Sequence, residues 1–153
     1  MSKPTKQQII SDTIKKLSDK EAIKTVCHQQ QEGIPLPSVK VLEQIVTLSR
    51  AIIFPGYFGN STVNTTNLKY HIGVNVEQLQ TLLTEQILAG LCFDIDLYQD
   101  QIGCQEKAVE IATKFIEGLP TIREVLTTDV IAAYNGDPAA KSYGEIIFCY
   151  PAI

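Results

Sequence analysis

Two aspartates open the chemical reading of this chain. Both lie in residues 128–142, which read Thr-Asp-Val-Ile-Ala-Ala-Tyr-Asn-Gly-Asp-Pro-Ala-Ala-Lys-Ser. Asp137 stands directly before Pro138, and proline disfavours the helical region for the residue that precedes it. Asp137 should therefore sit extended at a corner with its carboxylate projecting. Such a carboxylate can accept a hydrogen bond from an ammonium or a hydroxyl, or it can serve simply as the N-cap of a following helix. Asp129 falls on or beside the apolar stripe of Ile122, Val125, Leu126, Val130 and Ala133, where an unpaired carboxylate would be costly. Asn135-Gly136 predicts a left-handed helix stop, and residues 139–150 are expected to resume as helix with Pro138 near the first turn.

The other reactive side chains form no constellation. His28 and His71 have no partner identifiable in the sequence, and no nucleophile-elbow motif is present. Cys27, Cys92, Cys104 and Cys149 are far apart with no Cys-x-x-Cys spacing, so with two lone histidines they make no metal template. Reduced, mostly buried thiols are the expected state. Asp94, Asp96 and Asp100 suggest a calcium loop, but counting from Asp94 the sixth position is Gln99 instead of glycine and the twelfth is Gln105 instead of glutamate. The glycines of Phe54-Pro55-Gly56-Tyr57-Phe58-Gly59 lack the spacing and the lysine of a phosphate-binding loop.

Composition sets the frame. A chain of 153 residues, 44% hydrophobic and 20% charged, fits one ordinary globular domain. That size buries roughly 68–70% of its unfolded surface. The net charge of −4 argues against a nucleic-acid partner. Charge is uneven: residues 1–24 carry six basic residues and three acids, net +3, which leaves −7 for the rest. Because lysines alternate with acids there and no aromatics interleave, a solvated helix face is expected. No apolar run has the length of a membrane span, and the N-terminus is too polar for a signal peptide, so a cytoplasmic chain with meaningless sequons at Asn60 and Asn64 is expected.

The elements that must position Asp137 read as helices throughout. Residues 4–31 are helical, with a break near Ser18, where Ser18-Asp19-Lys20-Glu21 matches a capping box. Gly33-Ile34-Pro35-Leu36-Pro37 forms a stiff linker. Ser38 caps a helix whose apolar residues Val41, Leu42, Ile45, Leu48 and Ile52 share one face. The apolar loop 54–59 follows, then an irregular polar stretch over 60–74. Asn75 and Gln78 form a capping box that opens a helix with the stripe Leu79, Leu82, Leu83, Ile87 and Leu91. Another helix spans about 104–117, with Ala108, Ile111, Ala112, Phe115 and Ile116 inward. Leu119-Pro120 divides it from the helix leading to Asp137. The expected fold is all-α, with five or six helices, an N-terminal arm and linker over 1–37 and a helical domain over 38–153.

The run Asp129-Val130-Ile131-Ala132-Ala133-Tyr134-Asn135-Gly136-Asp137-Pro138-Ala139 resembles the end of the N-terminal helical domain of serine O-acetyltransferases, which carry Asp, seven residues, then Asp-Pro-Ala. Phe54-Pro55-Gly56-Tyr57-Phe58-Gly59, Leu119-Pro120-x-Ile122-Arg123, Gly136 to Ser142 and Tyr150-Pro151 are similar to the longer-armed bacterial branch, and the resemblance covers about residues 38–153. It implies transfer of acetyl from acetyl-coenzyme A to L-serine in cysteine biosynthesis. It places Asp137 in the serine pocket and gives Asp129 a structural role near it, pairing with Arg123 or capping a neighbouring helix. The family's left-handed β-helix of hexapeptide repeats has no counterpart here. Its catalytic histidine and its acetyl-coenzyme A groove therefore match no residue of this chain, which is expected to be a fragment or separately expressed domain, inactive alone and binding no cofactor.

The resemblance also implies a homo-oligomer, trimers joined into hexamers, and O-acetylserine sulfhydrylase as a partner gripped by a C-terminal tail that Ile153 does not represent. A stand-alone helical interaction module without enzymatic activity is the competing expectation, since an apolar loop such as 54–59 suits a partner surface.

Overall fold

The computed structural model describes residues 4–23, 36–59, 62–92 and 101–151. Cys27, His28, Asn60, Asp94, Asp96, Asp100 and Ile153 lie outside them, and with them the calcium expectation. The described residues form six helices and no strand, so the fold is all-α. They are α1 (Lys6–Leu17), α2 (Lys20–Ile23), α3 (Val39–Ile53), α4 (Leu68–Leu91), α5 (Gln101–Gly136) and α6 (Tyr143–Cys149). None is long and apolar enough to cross a membrane.

The chain divides into two compact units, residues 1–33 and 34–153. In the first, Thr5 and Gln8 form a capping box at the start of α1. The helix ends at Ser18 as expected, but Asp19 caps α2: its Oδ1 accepts from the amides of Glu21 and Ala22, at 3.0 and 3.2 Å. Asp19 stands one residue before α2 and reaches its orphan amides directly, whereas Ser18 Oγ turns back to the Lys15 carbonyl.

The second unit is built on α4 and α5. The Gln80 amide donates to Thr113 Oγ1 at 3.1 Å, and residues 72 and 76 share a cavity wall with residues 116 and 120, so the two helices run antiparallel. Their seam is partly alanine: Ala89, Ala108 and Ala112 are buried, beside Leu79 and Leu83. Small side chains let the backbones approach closely, and dispersion and apolar burial then hold the pair. Ser38 caps α3, accepting from the Val41 amide at 3.4 Å, and its own amide donates to Gln86 Oε1 of α4 at 2.7 Å. Ile45 and Ile52 carry α3 into the core.

Three helix expectations need correction. The helix that was to open at Asn75 already begins at Leu68. An asparagine-rich turn leads into it, in which Asn67 Oδ1 accepts from the Asn64 amide while Asn64 Oδ1 accepts from Thr66 and Asn67. Asn75 lies inside α4, so its cap motif is satisfied by ordinary helix bonds. Leu119-Pro120 does not divide two helices, because α5 runs unbroken past it. Leu119 is buried in the core and Pro120 turns outward, and tertiary packing on both sides outweighs the loss of one amide donor. The stop expected at Asn135-Gly136 is in place, since α5 ends at Gly136, but it is not left-handed: neither residue has positive φ, and the Asp137 amide still donates to the Ala133 carbonyl.

Sidedness was read correctly for α4 and only partly for α3 and α5. Leu42, Ile111, Phe115, Ile122 and Val125 were expected inward and are 36–55% exposed. On α5 they form a second stripe, one residue out of phase with the buried Ala112, Leu119 and Val130. A periodicity of three and four residues cannot say which of two adjacent stripes faces the core.

Residues 54–59 close the far end of α3. Gly56 and Gly59 both adopt left-handed φ, +87° and +95°, which other residues rarely take. This turns Phe54 into the core and lays Tyr57 and Phe58 against α6, where Phe148 meets both rings at 5.5 and 5.8 Å. Helix α6 is only seven residues long, so it depends on tertiary contacts. Ile146, fully buried, and Ile147 anchor it. Truncating Ile146→Ala should cost about 2–5 kcal/mol through lost apolar burial and the cavity left behind. Chemical denaturation followed by circular dichroism measures this, and a change below about 1 kcal/mol would show that α6 is not docked as described.

Candidate functional site

Asp137 occupies the corner between α5 and α6. Its amide completes the last bond of α5, and its carbonyl accepts from the Ala140 amide at 3.1 Å. The corner is thus a four-residue turn with aspartate first and proline second, an arrangement such turns favour. Asp137 Oδ1 accepts from the Ala139 amide at 2.8 Å, which pins the carboxylate to its own turn. Oδ2 accepts a short hydrogen bond from the Tyr150 hydroxyl, thirteen residues further on.

These bonds decide between the two readings of Asp137 as a cap. The helix expected over residues 139–150 begins at Tyr143, and its N-cap is Ser142, whose hydroxyl oxygen accepts from the Glu145 amide at 3.1 Å. Glu145 reaches back to accept from the Lys141 amide at 2.7 Å. Ser142 and Glu145 therefore satisfy the start of α6 between them. Asp137 stands five residues earlier and caps no helix; it organises the corner itself.

The carboxylate is half-buried and not used up. Two oxygens offer about four lone-pair sites, of which the turn amide and the tyrosine occupy two. The tyrosine hydrogen bond, then the Ala139 amide, hold the Asp137 carboxyl below its ordinary value, so it is ionised near neutrality. The same bond is the chief cause that raises the Tyr150 hydroxyl to about 12. A fixed anion, oriented by two donors and carrying spare acceptor capacity, is suited to an ammonium or hydroxyl group. Glu145 adds a second negative charge that also acts on the Tyr150 hydroxyl.

The surrounding side chains are aromatic. Tyr134 of α5 and Tyr143 of α6 lie face to tilted face across the corner, 4.6 Å between centroids. Beside them Phe54, Thr127, Val130, Ile131, Tyr143 and Ile147 line an apolar cavity of about 280 Å³. Gly144 permits the approach of Tyr57, whose ring would lie 3.3 Å from any β-carbon placed there. Arg50 in turn stacks its guanidinium 3.9 Å over Phe58.

Asp129 is placed differently from the expectation. It lies exposed on α5, with no side-chain hydrogen bond or ion pair among the described residues. Arg123 does not pair with it. Its Nη2 donates instead to the Ile52 carbonyl near the end of α3, where a cation is favourable, and its Nε is buried without a partner. Eight residues turn through more than two helical turns, which leaves Asp129 and Asp137 on one helix and its end without bringing them into contact. His71 lies on α4, hydrogen-bonded to Asn75 with 3.1 Å between the nitrogens. No group of three metal-ligating side chains is gathered among the described residues.

Tyr150 is the residue that reading the sequence missed as part of the site. Its only signal was the resemblance at Tyr150-Pro151, because its partner lies across a helix that had to be docked first.

A pH dependence follows. The lowered Asp137 carboxyl contributes stability that is present above its ordinary value of 3.8 and lost as pH falls through the lower folded value. The raised Tyr150 hydroxyl contributes stability that is present below 10.0 and lost as pH rises through about 12. The pair therefore stabilises the corner evenly between those limits. Of six tyrosines, one should titrate near 12 in an ultraviolet absorbance titration, and Asp137→Asn should return it toward 10.0. An unchanged titration curve in that variant would show that the two side chains are not bonded in solution.

Comparison with known proteins supplies the remaining observation. A protein of Synechococcus elongatus named "Serine acetyltransferase, plasmid" is 38% identical over 127 residues, which cover 78% of this chain and 39% of that protein. The chain thus spans about two-fifths of the length of the curated relative it matches. No family model matches it.

Proposed function

We propose, from this relationship to serine acetyltransferases, that the chain is the N-terminal helical domain of a serine O-acetyltransferase and that Asp137 binds the substrate serine. The observation that carries the reading is the Asp137 carboxylate itself, ionised and fixed at a corner with free acceptor sites, within the motif that matches the family. L-serine offers an ammonium and a hydroxyl, both donors, and a second negative charge at Glu145 favours the approach of a cation.

The acetyl transfer from acetyl-coenzyme A needs a general base to take the serine hydroxyl proton as oxygen attacks the thioester. No histidine of the described residues stands beside Asp137. The base and the coenzyme A groove are assigned to the hexapeptide-repeat region of the enzyme, and the role of this domain is to bind and orient. Alone it is expected to transfer no acetyl group. Turnover above background by the isolated chain would refute that assignment.

The exposed stripe on α5 is assigned to assembly. Ile111, Phe115, Ile122 and Val125 recur at coiled-coil spacing, with Gly118 between them open enough for a second helix to approach. Homo-oligomers through this face fit an unpartnered apolar seam better than solvent does. A Val125→Glu substitution should shift sedimentation toward monomer while helicity stays unchanged. A wild-type chain that is monomeric at tens of micromolar (about the range where weak contacts populate) would refute the assembly role.

Substrate binding is tested in the enzyme that carries its catalytic region. Asp137→Asn keeps the size and the acceptor for the Ala139 amide and removes the charge. Specificity for serine should fall roughly ten- to 150-fold, the cost of one charge-assisted hydrogen bond, with coenzyme A binding near wild type. Tyr150→Phe, which frees Oδ2 but loosens the carboxylate, should cost less. Full activity in Asp137→Asn would reduce the residue to a structural role.

A further inference from the structure

The α4–α5 seam carries two thiols that no part of the proposed function uses. Cys92 caps the C-terminus of α4 and is fully buried, and Cys104 lies in the first turn of α5. They extend the two buried stripes, Cys92 following Ala89 and Cys104 preceding Ala108.

Their meeting follows from register. The Gln80–Thr113 hydrogen bond aligns the antiparallel helices, and counting outward from it sets Cys104 level with Ala89. Cys92 is then three residues further along α4, about 4.5 Å at 1.5 Å per residue. Helical side chains lean toward the N-terminus of their own helix, so on antiparallel helices these two lean toward each other and close that offset. The thiols share a hydrogen bond, and the alanine seam brings the two backbones close. Both are thiols in this structure, not a disulfide.

We propose that Cys92 and Cys104 are a redox modification site, forming a reversible disulfide that staples the end of α4 to the start of α5. Cys104 is the more exposed of the two and reacts first, whereas burial raises the Cys92 thiol and keeps it protonated. The oxidant is a small-molecule disulfide such as oxidised glutathione. The Cys104 thiolate attacks one of its sulfurs, breaking that S–S bond and releasing one glutathione thiolate. Cys92 then gives up its proton as its sulfur attacks the Cys104 sulfur of the mixed disulfide, and the second glutathione leaves and takes that proton. Two electrons pass from the protein sulfurs to glutathione, and the two thiol protons end on the two released glutathione molecules.

The test uses the full chain with Cys27→Ser and Cys149→Ser, so that the pair alone can react. The protein is equilibrated in mixtures of reduced and oxidised glutathione, quenched in acid and mapped by mass spectrometry. The expected result is a linked peptide holding both cysteines with the loss of two hydrogen atoms, reversed by reduced glutathione. Closing a ring of this size should raise the melting temperature by about 5–10 °C. Adding Cys92→Ser should stop the reaction at a glutathione adduct on Cys104. The same map on the unsubstituted chain decides the matter if the double variant does not fold. A pair that remains as the Cys104 adduct, stays unmodified, or links only after denaturation overturns the proposal.

Discussion

The close approach of α4 and α5 is the constraint on which the other elements rest. Alanines at 89, 108 and 112 remove the side-chain volume that would hold two helix backbones apart, so the leucines at 79 and 83 interlock with α5 at short range. Helix α3 is laid on that pair and tied to α4 at its capped start through Gln86, and to α5 near its end through Arg123. Helix α6, too short to stand alone, is placed last by Ile146 and Ile147 and by the aromatic loop that α3 delivers. Asp137 and Tyr150 are brought to bonding distance only at the end of this sequence of dependencies. The geometry of a surface carboxylate is therefore set by packing among apolar residues well away from it.

Glycine and proline shape this outcome in ways that local rules describe unevenly. Gly56 and Gly59 follow the rule, since their left-handed backbone permits the tight loop that seats Tyr57 and Phe58. Pro138 follows it as well, fixing the corner after Asp137. Pro120 does not. It would end a helix judged alone, yet it lies within α5 because the buried residues on either side gain more from continuing than one lost backbone bond costs. Gly136 does end α5, but without the left-handed backbone that a glycine stop commonly takes.

What the amino-acid pattern revealed follows the same division. The all-α class, the Ser38 cap, the break at Ser18, the core stripe of α4 and the corner at Asp137-Pro138 were legible because each depends on residues within a few positions of one another. The start of α4, the continuity of α5 through Pro120 and the outward turn of Leu42 and Ile111 were not, because they are decided by what packs on a helix and not by its own periodicity. The Asp137–Tyr150 bond was hidden for a related reason. It joins two residues that no local period relates, and only the docking of α6 makes them neighbours. Asp129 had looked expensive on an apolar stripe; it is cheap because that part of the stripe faces solvent.

Pro120 has a mechanical consequence for α5. With no amide hydrogen at that position, the ladder of backbone bonds along the helix is missing a rung near its middle. Fraying that begins at one end must cross that gap before it reaches the other half. The first half is clasped by α4, and the second by α3 and α6. One continuous rod in shape is thus two segments in cooperativity, and amide exchange would distinguish them where geometry does not. The half that ends at Asp137 can keep its form while the other loosens, which insulates the corner from disturbance at the opposite end of α5.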